Sequence, residues 1–533
     1  MTDKQSQPSH SFFDPRPASP LAAGSAQNRG DRSAAELVKE FTASGTYRRD
    51  QLAPLIQASL SADAAVAQAA TATFFAALVE PLADSFEAPA VGLYNRVFAQ
   101  LIHTCRESAR GRELDRALSG LGLRLEADLI SRADGLGRVS PLESGRDRGP
   151  RIKRIVMLSR VTLGADVAIT SVIMSRLKNQ FPHADLVLVG GRKAGELFGG
   201  DPRLACKEVA YGRTATAAER VLSWMAVLAC IRDLVGDLEG DEYLIVDPDS
   251  RLTQLGLLPL VAESPLESGA SSVLAAQSAA ASRASSYLFF PSREYGCDTS
   301  RSLAQLTSDW LDEVFGGAET IYPSLSLQRG DLDAAGTQVQ RLRGQSARPI
   351  VSVNLGVGEN PLKRVNDDFE IALVAGLAAR GVTVILDKGA GAEETERADA
   401  ILRRVSKVAG REIRVLELDE PGLKSLSLHQ APAAQIITWS GRIGLLAALI
   451  GESDLYIGYD SAGQHIASAL GVPCIDIFSG FSSPRMLDRW RPTGKAETRV
   501  VVVDEVRKAD TQGVLAETLG AAQEFLKAGK KKG

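Results

Sequence analysis

Residues 445–480 read LLAALIGESDLYIGYDSAGQHIASALGVPCIDIFSG, and their order decides the fold. An apolar helical stretch closes at Gly451, and the run Leu455–Tyr459 then stops at Asp460. Helical spacing resumes from Ser461 to Leu470, and VPCIDIFSG (472–480) returns to a buried, β-branched texture. Strand, helix, strand at this spacing predicts a parallel βαβ unit. The turn between strand and helix carries the chemistry. Asp460 or Ser461 can cap the helix, while Ala462 and Gly463 let a ligand approach the backbone closely. Free N–H groups and the helix dipole make such a turn an anion site suited to a diphosphate. The plainer alternative is an ordinary capped helix, with His465 one turn in and as readily structural as functional.

Working outward, the same alternation extends upstream. RPIVSVNLG (348–356), VTVILDKG (382–389) and IRVLELD (413–419) read as strands, and DFEIALVAGLAARG (368–381) as a helix closed by Gly381. The series is expected to end at VPCIDIFSG. An earlier series begins at Arg151, with strands at RIVML (154–158), within FPHADLVLVGG (181–191), at YLIVDPD (243–249) and at YLFF (287–290). Two successive Rossmann-like units, 151–345 and 346–533, are predicted, with ligands bound beyond the strand C-termini in the cleft between them. Ahead of them, 33–135 has helical spacing for four or five helices, and 136–150 is a Gly- and Arg-rich linker. Residues 1–32 read as a disordered tail, and the Ser/Ala-rich 264–286 as a loop or weak helix.

At 533 residues and ~150 residues per domain, the length agrees with such a division. Net charge is 61 − 65 = −4, which excludes a strongly basic nucleic-acid coat. The five cysteines form no CxxC pair and there are only five histidines, so neither a disulfide framework nor a metal centre is expected. No GxGxxG or GxxxxGK[ST] motif is present, which argues against an NAD enzyme and a P-loop kinase. The N-terminal MTDKQSQPSH is not a secretion leader, and Ala64 to Val79 reads as a buried helix rather than a membrane span. A cytoplasmic protein is expected. The C-terminal KAGKKKG is a basic tail able to touch an anionic inner-membrane surface, though a solvated tail is the simpler reading.

Three further strand–helix junctions offer functional groups. NLGVGENPLKRVNDDFE (354–370) places Lys363 and Arg364 after a Gly loop, where cations can meet phosphates. DKGAGAEETE (387–396) puts Glu393 and Glu394 at a helix start, where a carboxylate can accept ribose hydroxyls. LSRVTLGADVAIT (158–170) sets Asp166 at the mouth of the first unit, either as a helix cap or as a base able to take a proton from an attacking hydroxyl.

In this order the motifs resemble glycosyltransferase family 9, the ADP-heptose:lipopolysaccharide heptosyltransferase family, over about 350 of 533 residues. The 445–480 block is similar to that family's LAALI..ADL.VG.DSG..H.A.ALG.P, VNLGVGENPLKRV to its HPGAS...KRW loop, and RWRPTG (489–494) to its closing W.P.G. The resemblance implies a GT-B fold of two facing Rossmann-like domains, here preceded by a small all-α domain. It implies an inverting, metal-independent glycosyltransferase with no cofactor. The donor would be a nucleotide-diphospho-sugar of the ADP-heptose type, and the acceptor a glycan, glycolipid or protein. Asp166 would be the general base. Lys363 and Arg364 would meet the diphosphate and Glu393 the ribose, with Asp460, Ser461, Ala462, Gly463 and His465 lining the donor pocket. The chain departs from the pattern at Ala165, inserted before Asp166, at Ala462 and Gln464 in the helix-start block, and at Val365 in place of the common Trp. Such changes leave room for a non-catalytic relative that binds a nucleotide-sugar or acts as a scaffold; a nucleotide-sugar epimerase would need acid/base groups beyond Asp166, for which the sequence offers few candidates.

Overall fold

The computed structural model describes residues 40–136, 151–261, 286–425 and 434–529, apart from 42, 213, 346, 347, 359 and 390. The expected N-terminal tail, the linker after residue 136, nearly all of the Ser/Ala-rich segment and the last four residues lie outside these.

Among the described residues, twelve strands form two all-parallel sheets. The first contains β1 (Arg154–Leu158), β2 (Asp185–Gly190), β3 (Leu204–Glu208), β4 (Tyr243–Asp247) and β5 (Tyr287–Phe289), in the order β3-β2-β1-β4-β5. The second contains β6 (Ile350–Asn354), β7 (Thr383–Asp387), β8 (Val415–Asp419), β9 (Ile436–Ser440), β10 (Leu455–Tyr459), β11 (Cys474–Ser479) and β12 (Thr498–Val503). Its order is β12-β11-β10-β6-β7-β9-β8. Without the edge strand β8, this is the doubly wound order whose crevice opens where the strand sequence reverses, here between β6 and β10. Two such units facing one another make a GT-B fold. Strands β3, β9 and β12 were not anticipated, and β12 corrects the expected end of the series at residue 480. β3 is an edge strand with four exposed residues in five, so it shows little apolar pattern.

Alternation along the strands divides the interior into three cores. Ile155 and Met157 of β1, with Ile350, Ile385 and Trp439 of the second sheet, face a core shared by the two units. The outer face of the second sheet (Val351, Val353, Ile457, Ile475) packs under the helices Asp367–Ala379, Ala392–Ala409 and Thr511–Gly529. The outer face of the first sheet (Val156, Leu158, Val187, Ile245) packs under the N-terminal helices. Those helices run Arg49–Ser59, Ala64–Ala83 with a π turn at Phe75–Val79, Ala88–Glu107, Arg112–Gly120 and Glu126–Leu136. They enclose no separate core. Phe74, Leu78, Phe98 and Leu129 pack continuously with Trp224, Leu252 and the sheet, so the segment forms a third layer on the first unit. By length and composition alone, Ala64–Ala83 is able to cross a membrane, but here its apolar face is spent on this layer.

The closing motif ties the halves together. Arg489, 1% exposed, donates to the carbonyls of Thr299 (3.0 Å), Arg301 (2.6 Å) and Gly296 (2.6 Å) in the first unit. From the same helix, Pro484–Trp490, Arg485 donates to the Phe86 carbonyl of the helical layer at 2.9 Å.

Candidate functional site

A cleft of about 710 Å³ lies at the C-terminal ends of β1, β2, β6, β7 and β10, with walls from both units and from the helical layer. Its floor in the second unit follows from strand register. Gly458 of β10 pairs with Asn354 of β6, and Asn354 with Asp387 of β7, so these residues form one row across the sheet. Asn354 donates to Asp387 at 2.8 Å and accepts from Gly356 N at 2.9 Å, which shapes the loop after β6. Burial pushes the Asp387 carboxyl up to about 6; the Gly389 N–H opposes this and Glu394 reinforces it. Glu394 lines the cleft and accepts from Gly358 N at 3.3 Å. Glu393, the residue expected from sequence, is exposed and is not on the wall. The rotation of one helix residue, 100°, makes the difference.

Lys363 stands on the short turn Pro361–Lys363, and its ammonium meets Asp460 Oδ2 at 2.5 Å. Burial alone would lower the ammonium, but the Asp460 carboxylate outweighs it and the net effect is upward. Asp460, 5% exposed, also accepts from Gln464 Nε2 at 2.6 Å. Arg364 points elsewhere. It pairs with Glu370 (2.7 Å) and Asp367 (2.5 Å) and is not on the cleft wall, so the sequence expectation for it is corrected. The two neighbours diverge because the turn ends between them and Arg364 returns to extended backbone.

The helix Ala462–Ala469 begins beside this pair. Its cap residue Ser461 makes no side-chain hydrogen bond to the first N–H groups, Ser461, Ala462 and Gly463 line the cleft, and the buried Ser461 Oγ lies beside the Tyr456 hydroxyl. A methyl at Gly463 would run into the Tyr456 hydroxyl, so only glycine fits there. His465 lies on the cleft wall, 6.0 Å edge-to-face from Trp490. Burial lowers its imidazole to about 4 against the pull of Asp460, so it is neutral near pH 7. Below the pair, Asp476 of β11 is fully buried with neither oxygen partnered among the described residues. Burial, and then the Asp460 charge, push its carboxyl well above the usual range.

Across the cleft, the loop after β1 carries Asp166. The inserted Ala165 is accommodated in a helix that starts at Leu163 and continues through a π turn at Asp166–Thr170. Asp166 is on the wall but 1% exposed, and it accepts from Ser159 Oγ (2.7 Å), Arg160 N (2.6 Å) and Thr170 Oγ1 (3.0 Å). Burial raises its carboxyl against these donors. In the same loop Val161, at φ +73°, an unfavourable conformation for a β-branched residue, donates its N–H to Ser159 Oγ at 2.9 Å. Gly164 approaches so closely that a methyl there would lie 3.0 Å from His465 Cδ2. Asp84, from the helical layer, also reaches the cleft wall. Nothing in the sequence around it marks it, because its neighbours in the site come from residues hundreds of positions away.

No family model and no curated protein matches the chain. Among solved structures it is similar to a glycosyl transferase family 9 protein from Veillonella parvula, at 17% identity over 70% of this chain and 97% of that one, with a TM-score of 0.47. It is also similar to ADP-heptose LPS heptosyltransferase II from E. coli (16% identity, 70% and 100% covered, TM-score 0.44). A third similar structure is E. coli heptosyltransferase WaaC with ADP (13%, 70% and 99%, 0.43).

Proposed function

We propose that the chain is a glycosyltransferase that holds a nucleotide-diphospho-sugar in this cleft and transfers the sugar to a hydroxyl with inversion. The observation that carries this is the convergence of Lys363 with the uncapped N-terminus of Ala462–Ala469, at the switch point of a parallel sheet. A cation and open N–H groups at that place recognise a diphosphate and stabilise it as it departs. Glu394 and Asp387, on the far side of the Gly loop after β6, supply acceptors for ribose hydroxyls. Neutral His465 adds a polar ring without further charge. The donor is ADP-linked heptose or a related sugar, and the acceptor a glycan, glycolipid or protein.

A second reading, a nucleotide-sugar binder without turnover, draws support from Asp166, whose oxygens are all engaged within its own loop. A thermal-shift panel of ADP, UDP, GDP and CDP tests the shared core of both readings. A ligand at ~100 times its Kd adds ~2.7 kcal/mol of stability. A shift selective for ADP is expected. A shift selective for another base changes the donor, and no shift with any of the four refutes a diphosphate site. Release of nucleoside diphosphate from the corresponding nucleotide-sugar separates enzyme from binder.

A further inference from the structure

We propose that Asp249, which lies outside the cleft, is a positioning residue: through Arg160 it fixes the loop that holds Asp166 ready to take the proton of the acceptor hydroxyl. This rests on the glycosyl-transfer reading above, with Asp166 as the base that the resemblance implies. Among the described residues Asp166 accepts three hydrogen bonds, and a carboxylate has about four acceptor sites, so one is left for a hydroxyl. One of the three donors is the backbone N–H of Arg160. Where that N–H points depends on what holds Arg160. Its side chain is 12% exposed and is not on the cleft wall. The guanidinium donates to the Pro248 carbonyl at 2.7 Å and to Ser292 Oγ, and it lies 3.6 Å from Asp249 Oδ2. Ser292 Oγ donates in turn to Asp249 Oδ2 at 3.0 Å, and Arg293 forks onto the same carboxylate at 2.9 and 3.3 Å.

These residues stand in the loops that follow β1, β4 and β5, which are neighbours in the first sheet. The helical layer closes the far end, where the Arg293 guanidinium lies 4.6 Å over the ring of Tyr94, from the helix Ala88–Glu107. A second tie runs beside the first: Ser250, next to Asp249, donates its hydroxyl to the Ser159 carbonyl at 2.5 Å, and the Ser159 hydroxyl bonds Asp166. Asp249 is 1% exposed and the Arg293 side chain 6%. A buried ion cluster adds little net stability over apolar residues of the same volume, so stability is a poor account of it. The loop it grips is strained, with Val161, next to Arg160, at φ +73°. Such backbone persists only where the surrounding contacts over-determine it. Loosening Arg160 lets Val161 relax toward extended backbone, and the Arg160 N–H then turns away from Asp166. In the step, the acceptor O–H proton passes to Asp166 as the acceptor oxygen bonds to the anomeric carbon. The bond from that carbon to the diphosphate oxygen breaks, and the nucleoside diphosphate leaves with its electron pair.

The test uses the full chain with ADP-heptose and with ADP-, UDP- and GDP-glucose, following nucleoside diphosphate release with water as acceptor. Asp249→Asn is expected to lower kcat by roughly 10²-fold, and Ser292→Ala by roughly 10-fold, while donor KM and nucleoside diphosphate Kd stay within about 3-fold. Ser292→Ala breaks the bridge between Arg160 and Asp249 without stranding a charge, so it decides the question even if Asp249→Asn does not fold. Asp166→Asn alone should lower kcat by roughly 10²- to 10⁴-fold. Because the effect of Ser292 and Asp249 passes through Asp166, the double variant Asp166→Asn/Ser292→Ala should be no slower than Asp166→Asn, an outcome that a merely structural role would not give. Wild-type kcat in a folded Ser292→Ala overturns the proposal, as do losses that multiply in the double variant or that appear in KM and not in kcat. Wild-type turnover by Asp166→Asn removes the base from this loop, and the proposal with it, but leaves glycosyl transfer standing. If the wild type releases no nucleoside diphosphate from any of the four donors, the glycosyl-transfer reading itself falls.

Discussion

Replacing Lys363 with methionine should weaken nucleoside diphosphate binding by a calculable amount. The substitution keeps most of the stem and removes the charge. A charge-assisted contact to phosphate is worth about 1.5–3 kcal/mol, or roughly 10- to 150-fold in Kd. The loss should lie toward the upper end, because Asp460, 5% exposed, would then face the phosphates without its cation. Folding stability should fall as well. Removing one partner of a buried pair costs about 3–5 kcal/mol, and the 20% exposure of the Lys363 side chain places this case at or below the lower figure. Asp460→Asn in the same chain removes the stranded charge, so the double variant should recover stability and part of the affinity. Calorimetry with the diphosphate and with the free nucleoside of the same base gives the answer. The diphosphate should weaken and the nucleoside should not. Equal diphosphate affinity in variant and wild type, or an equal loss with the bare nucleoside, would refute the placement of phosphates at Lys363.

Two further outcomes follow from the same structure. Arg489→Ala should leave three carbonyls of the 296–301 segment without their donor, lowering stability by at least about 2 kcal/mol, and Arg489→Lys should rescue little because one ammonium cannot span all three; a denaturant midpoint unchanged in both would show the anchor to be dispensable. Asp476→Asn should flatten the pH dependence of stability. The native carboxyl is raised by burial and by Asp460, so the native state holds its proton longer than the unfolded chain, and stability is lost as pH rises above the unfolded value of about 3.9. Urea titrations from pH 5 to 9 should show the variant gaining on wild type as pH rises, and parallel curves would contradict this.

Much of the second unit was legible in the sequence, for a physical reason. A parallel sheet buries both faces, so its central strands are short apolar runs, and LYIGY and CIDIFS are buried at every position. The turn that follows such a strand is then located closely, which is how the sequence put Asp460 and Ser461 at a strand end that lines the cleft. β3 lacks that signal, with four of its five residues exposed, and went unseen, as did the short interior strand β9, although it is buried at four of its five positions.

Sequence by itself determined that two βαβ series follow one another and that small and polar residues fill the turns at their strand ends. It did not determine which side chains of those turns face the cleft. Glu394 rather than Glu393, and Lys363 without Arg364, were decided by helix rotation and by where a short turn ends. Nor did it determine that the helical layer contributes to the cleft wall. That depends on contacts between residues far apart in the chain. The helical layer lies on the first sheet because the two share one apolar core, and Arg485 and Trp490 of the second unit hold its Asp84–Phe86 turn over the cleft. No local pattern around Asp84 encodes that meeting, since its energy belongs to three separate segments that come together only in the folded chain.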